Sequence, residues 1–370
     1  MYFIIIMAIK LILRIVYFPM KKCIKVEKKI VYLSRQSNEK SLDMELLSKE
    51  IHRRYPDYKQ VFRLKMIEPG LKSAISYGFW LLGDMIQIAG ASVVICDTYS
   101  IPVSCLKHRK SLKIIQIWHA MGAIKQFGWQ SVGRAEGRSR QASKILNMHA
   151  NYDYVTVPSK ATAQFYVKAF HTSMKKMKIL TLPHIDFIVD NNNRKSEFYR
   201  DNPKFLGKEI ILYLPTFRDD EQLIVESLQN EFAKEEQFGL IISLHPLSRT
   251  HMTKKDEIKG NYTAYDLMKL ADYIITDYSA CAFEASLLNK PLYFYTPDYE
   301  TYKNTRGVNI DLTSEMSQYV YKDAKELCQQ MKANHYDYRD LKAFSKKYIE
   351  NTEHCTEKMA DFICQQMRSN

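Results

Sequence analysis

The sequence predicts two α/β domains, each built on a parallel sheet, and three observations carry that expectation. Short apolar runs alternate with longer helix-like stretches along most of the chain, the pattern of parallel strands covered on both faces. At 370 residues the chain is longer than one hydrophobic core comfortably serves, so two domains are expected. A polar segment, "DNNNRKSEFYRDNPK" (190–204), divides the alternation into two halves.

The N-terminus comes first. "MYFIIIMAIKLILRIVYFP" is apolar, with Lys10 and Arg14 four residues apart on one helical face, and basic "KKCIKVEKK" follows Pro19. Two charges inside a run of barely spanning length argue against a transmembrane helix. A signal peptide would carry its charge ahead of the apolar core. Residues 1–28 therefore read as a helix in the membrane interface, closed by Pro19, with Lys10, Arg14 and the basic segment facing anionic headgroups. An ordinary buried N-terminal helix is the alternative.

Residues 29–190 form the first predicted domain. Its strands are "KIVYLS" (29–34), "QVFRLK" (60–65), "SVVICD" (92–97), "KIIQIW" (113–118) and "YVTVPS" (154–159). "SLDMELLSKEIHRRY" and "SKATAQFYVKAFH" are the intervening helices. A linker is expected over 191–207. The second domain, 208–322, has strands "EIILYLP" (209–215), "LIISLHP" (240–246), "YIITDYS" (273–279) and "LYFYTPD" (292–298). Residues 323–370 read as charged helices.

A net charge of +13 calls for an acidic partner. The chain has no dense arginine run, zinc spacing or aromatic RNA-binding signature, so no nucleic-acid partner is expected. Seven scattered cysteines without a CxxC suit a reducing compartment and argue against a disulfide framework.

In open α/β sheets ligands bind beyond the carboxyl ends of the strands, and two such domains are expected to face each other across a cleft. Candidate chemistry is therefore sought at the strand ends. One strand ends in Thr276-Asp277-Tyr278-Ser279 and a helix is predicted from Ala280, with Ser279 as its N-cap beside an anion site. Glu284, one turn in, is placed to accept from ribose hydroxyls. Thr216 and Arg218 follow another strand, His245 and Arg249 a third, and Arg306 the next loop. Each alone reads as an ordinary surface or satisfied residue; together the four basic groups can clamp a pyrophosphate. In the first domain "KIIQIW" ends in Trp118-His119, where an imidazole suits a general base at neutral pH.

These residues together resemble the teichoic-acid CDP-glycerol glycerophosphotransferases, from "FPMKKCIKVEKKIVYLS" to about Leu312. Four ordered signatures carry the resemblance: Trp118-His119-Ala120 through Lys125-Gln126-Phe127-Gly128, then Pro215-Thr216-Phe217-Arg218, then His245-Pro246, then the block from Thr276 to Tyr295 followed by Tyr302 and Arg306-Gly307. Ala120 and the short chain are similar to the primase branch. Two departures stand out: Ala280 where the family has a second serine, and Thr181-Leu182-Pro183-His184-Ile185-Asp186 where it has G-x-P-R-x-D.

The resemblance implies a glycosyltransferase-B-like fold of two Rossmann-like domains, the first for the acceptor and the second for the CDP donor. It implies transfer of glycerol phosphate from CDP-glycerol to a hydroxyl of a polyprenyl-diphosphate-linked saccharide, with release of CMP, at the cytoplasmic face of the bacterial membrane. His119 is then the base, in a loop small enough to admit the acceptor sugar, with Trp118 and Lys125 on the acceptor side. His245 serves with it, and Thr216, Arg218, Arg249, Asp277, Ser279, Ala280, Glu284 and Arg306 hold the donor. No cofactor and no metal are expected: Asp219 and Asp220 are adjacent but point different ways if extended. CDP-ribitol as donor, a capsular product, a sugar-nucleotide glycosyltransferase of the same fold and a non-catalytic membrane scaffold stay open. The apolar N-terminus also leaves an oligomer possible.

Overall fold

The computed structural model describes residues 2–66, 71–135, 137–218, 221–244, 248 and 257–368. The chain divides into two compact units. One comprises Met1–Met121, Gln126–Asp186 and Glu350–Asn370; the other comprises Gly122–Lys125 and Phe187–Ile349.

The first unit holds a six-stranded sheet of β1 (Lys29–Ser34), β2 (Lys59–Leu64), β3 (Val93–Cys96), β4 (Lys113–Gln116), β5 (Tyr154–Val157) and β6 (Met177–Ile179). Its order is β2-β1-β3-β4-β5-β6 and every pairing is parallel. β1 and β3 are buried along their whole lengths, as expected of β-branched runs covered on both faces. The second unit holds five parallel strands, β7 (Glu209–Leu214), β8 (Phe238–Ile242), β9 (Tyr273–Thr276), β10 (Leu292–Tyr295) and β11 (Val320–Tyr321), in the order β11-β10-β9-β7-β8.

The two sheets share one topological feature. In each, the first strand sits between the next two, so the chain steps to one side and then returns on the other. The loops leaving β1 and β3, and those leaving β7 and β9, diverge at that point. Such a switch opens the crevice in which doubly wound sheets bind ligands.

Several expectations need correction. The segment 191–207 is not a bare linker: it carries the helix Lys195–Asp201, whose buried Phe198 packs on Phe205 and Tyr262. The last helix, Cys355–Arg368, returns to the first unit and packs on α2 (Leu42–Arg54). Asp186 caps that last helix, its two carboxylate oxygens accepting from the Cys355 and Thr356 N–H groups at 2.8 Å each. Two positions earlier, buried His184 donates its backbone N–H to Asp43 at 2.8 Å and sets its ring Nδ1 against the same carboxylate at 2.9 Å. The departing 181–186 segment thus knits the C-terminal return to α2.

The N-terminal helix α1 (Tyr2–Cys23) runs straight through Pro19. Its last turn is held from outside, with Lys21 Nζ donating to the Lys107 carbonyl at 2.7 Å and Tyr17 Oη 2.9 Å from His108, which offsets the bond proline removes. Lys10 and Arg14 are both tied to backbone carbonyls, Lys10 half-buried and Arg14 still exposed. Lys10 Nζ donates to the Ile145 carbonyl, and Arg14 Nε to the Cys105 carbonyl at 3.2 Å. These carbonyls end two short helices, α4 (Ile101–Cys105) and α5 (Arg140–Ile145), where a cation meets the negative end of the helix. α1 also exposes Ile4, Ile5, Met7, Leu11, Ile12, Ile15 and Phe18. It packs on α3 (Leu71–Ala89), which exposes Phe79. α1 is long and apolar enough to cross a membrane.

Candidate active site

β7 and β9 are neighbours, with Leu214 opposite Thr276. The stretches Pro215–Arg218 and Asp277–Ser279, far apart in sequence, therefore leave the sheet side by side. Asp277 is fully buried between them. Its carboxylate accepts from the Thr216 N–H at 2.9 Å, Thr216 Oγ1 at 2.7 Å, Arg218 Nη2 at 2.7 Å and the Ser279 N–H at 3.2 Å. Buried charge survives only when paired and hydrogen-bonded in this way.

Arg218 is held within the switch by two carboxylates. Its side chain is buried, and its second nitrogen, Nη1, lies 3.0 Å from Asp298. Burial works against its charge, but Asp277 and its neighbours outweigh burial and hold the guanidinium above its ordinary pKa. Tyr278 donates to Asp298 at 3.0 Å and stacks on Tyr302, ring centroids 3.8 Å apart. The arginine's charge is committed to fixing the shape of the switch.

The helix after β9 runs only over Cys281–Ser286, with Ala280 rather than Ser279 in the cap position. Ser279 Oγ still accepts from the Cys281 N–H, at 3.4 Å. So short a helix aligns few peptide dipoles, and whatever anion affinity exists here comes from individual N–H groups. Glu284 is buried and Arg306 half-buried at the C-cap of the helix Tyr299–Thr305. His245 and Arg249, like Asp219 and Asp220, lie outside the described residues.

Lys125 is not in the first unit. The chain gives Gly122–Lys125 to the second unit, where Lys125 pairs with Val308 in an antiparallel bridge and the Asn309 N–H donates to the Ile124 carbonyl at 2.7 Å. Burial pushes the Cys281 thiol up to about 12, and the charge of Lys125 pulls the other way. Lys125 therefore stands with the 276–307 block. The small loop has a packing reason too: a Cβ on Gly122 would lie 2.2 Å from the ring of Phe283.

His119 is exposed at the end of β4. The strand itself stops at Gln116, and the chain then turns through Trp118 at φ +54°, a left-handed conformation costly for a bulky residue. Three contacts hold that turn. Gln116 Oε1 accepts from the Trp118 N–H at 2.9 Å, while its amide donates to the Thr98 carbonyl at 3.0 Å. The Trp118 indole packs on Phe127, Phe170 and His149. Tyr166 Oη donates to the Ala120 carbonyl at 2.7 Å. His119 Nδ1 sits 2.9 Å from the Asp97 carbonyl oxygen, an acceptor only. Nδ1 therefore carries the proton and Nε2 is the basic nitrogen. Trp118 belongs to an aromatic cluster that stiffens the turn.

Two residues of this arrangement escaped the sequence reading. Gln116 sits inside a strand, where a polar side chain gave the only signal. Asp97 ends β3 as Asp277 ends β9, and "CDTYS" beside "TDYS" was the available hint.

Comparison with known proteins agrees with this geometry. The family described as CDP-glycerol:poly(glycerophosphate) glycerophosphotransferase matches residues 16–365. A teichoic acid ribitol-phosphate primase of Bacillus spizizenii is 31% identical over 325 residues, 83% of this chain and 84% of the relative. A teichoic acid glycerol-phosphate primase of Bacillus subtilis is 32% identical over 270 residues, 70% and 69% of the two chains. A structure of the wall teichoic acid polymerase TagF superposes with a TM-score of 0.73 at 19% identity, covering 94% of this chain and 91% of that one. That likeness establishes the glycosyltransferase-B-like fold of two parallel-sheet domains.

Proposed function

The chain belongs to the CDP-glycerol:poly(glycerophosphate) glycerophosphotransferase family, and from that premise we propose that it moves glycerol phosphate from CDP-glycerol to a hydroxyl of a lipid-linked acceptor. The coarser activity, polyol-phosphate transfer from a CDP-alcohol in teichoic acid synthesis, comes with the family. The acceptor oxygen attacks the phosphorus bearing the polyol. The bond from that phosphorus to the bridging oxygen breaks, and CMP leaves with the electron pair. The acceptor proton goes to Nε2 of His119.

One observation supports His119 as this base: an exposed imidazole whose Nδ1 is held 2.9 Å from a backbone carbonyl, which fixes the tautomer that accepts at Nε2. Phosphoryl transfer otherwise depends on positioning and charge. Thr216, Asp277, Ser279 and Ala280 at the second switch, with Glu284, Arg306, His245, Arg249 and Lys125, are proposed for the donor. Arg218 serves by holding Asp277. The exposed apolar residues of α1 support membrane association, and the cytoplasmic face is proposed with it. CDP-ribitol is the second reading, because one of the two primases above uses ribitol phosphate by name.

The test is CMP release by the full chain given CDP-glycerol or CDP-ribitol and a short-chain lipid-diphosphate disaccharide. His119→Ala should lose about 10²–10⁴-fold in kcat. Equal turnover by the variant would place the base elsewhere, and no release from either donor would sink the transferase reading.

A further inference from the structure

We propose that Arg35 and Arg138 form a binding site for the anionic phosphate or diphosphate ester of the acceptor, at the topological switch of the first sheet. The identity of the ligand as an acceptor rests on the transfer reading above; the anion site itself rests on the following geometry.

Arg35 is the first residue beyond β1, at the divergence of the β1 and β3 loops. Its backbone N–H donates to Thr98 Oγ1 at 3.0 Å and its Nη1 to the Tyr99 carbonyl at 3.3 Å. Arg138 comes to the same place from a distant loop. The two guanidinium carbons lie 6.0 and 5.1 Å from the Tyr99 ring, and Arg35 is also 5.4 Å from the ring of Tyr77. Two like charges thus share one aromatic residue. Among the described residues neither has a carboxylate partner. The nearby Asp84 is already bonded to Arg63 Nε at 2.8 Å.

Two further buried polar atoms converge on the same place. Tyr99 is 5% exposed, and its hydroxyl has no hydrogen-bond partner among the described residues. Arg35 Nε is buried in the same condition. Both arginines are nonetheless accessible, Arg35 half-buried and Arg138 exposed. Planar guanidinium groups oriented on aromatic faces present paired donors to phosphate oxygens, and an anion between them would relieve their mutual repulsion. The site adjoins the base: His119 Nδ1 rests on the carbonyl of Asp97, two residues before Tyr99. A ligand anchored here by its phosphate would bring a hydroxyl toward His119.

Binding is measured on the full chain in detergent, with farnesyl diphosphate as probe, inorganic pyrophosphate as competitor, and farnesol as the uncharged control. Wild type should bind farnesyl diphosphate, yield it to pyrophosphate and ignore farnesol. Arg35→Gln and Arg138→Gln should each weaken binding about tenfold or more, as loss of a charge-assisted bond implies. Arg→Lys at either position should recover part of that loss. In the transfer assay, each Gln variant should raise the acceptor KM by a similar factor and leave the donor KM alone. Unchanged binding by both Gln variants overturns the proposal. If Arg35→Gln lowers Tm, the exposed Arg138→Gln decides. Loss confined to phosphatidylglycerol vesicles, with farnesyl diphosphate binding intact, overturns it in favour of a bilayer headgroup contact. Because this binding needs no turnover, it is decided even if neither CDP-alcohol releases CMP.

Discussion

The two sheets solve the same topological problem with opposite uses of charge. Each has a central strand that ends in a buried aspartate, Asp97 after β3 and Asp277 after β9, and each has an arginine just beyond the strand beside it. At the second switch Arg218 turns inward, and its guanidinium is divided between Asp277 and Asp298. At the first switch Arg35 turns away, to the Tyr99 carbonyl, and Asp97 receives no cation from the described residues. Burial pushes that carboxyl up to about 7, with Ser34 and Thr98 pulling it back only in part. One switch spends its charge on rigidity. The other keeps its cations for a ligand.

Removing the aspartate of the second switch has the largest expected effect. Asp277→Asn leaves Arg218 buried with half its compensation gone, and losing one partner of such a pair costs about 3–5 kcal/mol. Urea unfolding should show that loss. A cost under about 1 kcal/mol would mean that Arg218 swings out, and that the two switches do not differ.

Asp97→Asn tests the other side through pH. A carboxyl raised from 3.8 to about 7 is more easily protonated in the folded state than in the unfolded one. Its favourable contribution is therefore present below the unfolded pKa and lost as pH rises through about 7. Wild type should lose stability relative to Asp97→Asn between pH 5 and pH 8, by on the order of 2–3 kcal/mol at ~1.4 kcal/mol per unit. A pH-independent difference would show that Asp97 is ionised and paired like Asp277.

How much of this was legible follows from range. β1 was read to the residue, because a buried parallel strand is a continuous β-branched run. β6 and β11, three and two residues long, are too short to make a pattern. The strand-end signatures marked both switches, since a switch needs polar residues where a strand stops. Their partners were not legible. The pairing of Arg218 with Asp298, 80 residues further on, left no local signal. The carbonyls that Lys10 and Arg14 meet end helices distant in sequence, which no local pattern signals. Asp97 passed as the last residue of a strand, and Arg35 and Arg138 belonged to no motif at all.

The loop after His119 gives the mildest test, and it separates packing from substrate access. Gly122 has no positive φ to require glycine, so alanine there would slightly stabilise the chain by restricting its unfolded state. Against that gain stands the ring of Phe283, 2.2 Å from where the Cβ would go. Phe283 is itself fully buried and packed on Phe344 and Tyr348, so its ring has nowhere cheap to move. Overpacking of this kind costs about 1–3 kcal/mol, and the net effect of Gly122→Ala should be a loss of about 1–2 kcal/mol in unfolding of the second unit. The acceptor KM should stay within about twofold of wild type, since the small residue serves Phe283 rather than a sugar. A raised acceptor KM with unchanged stability would return the loop to the acceptor, and would tie the first signature to the first switch.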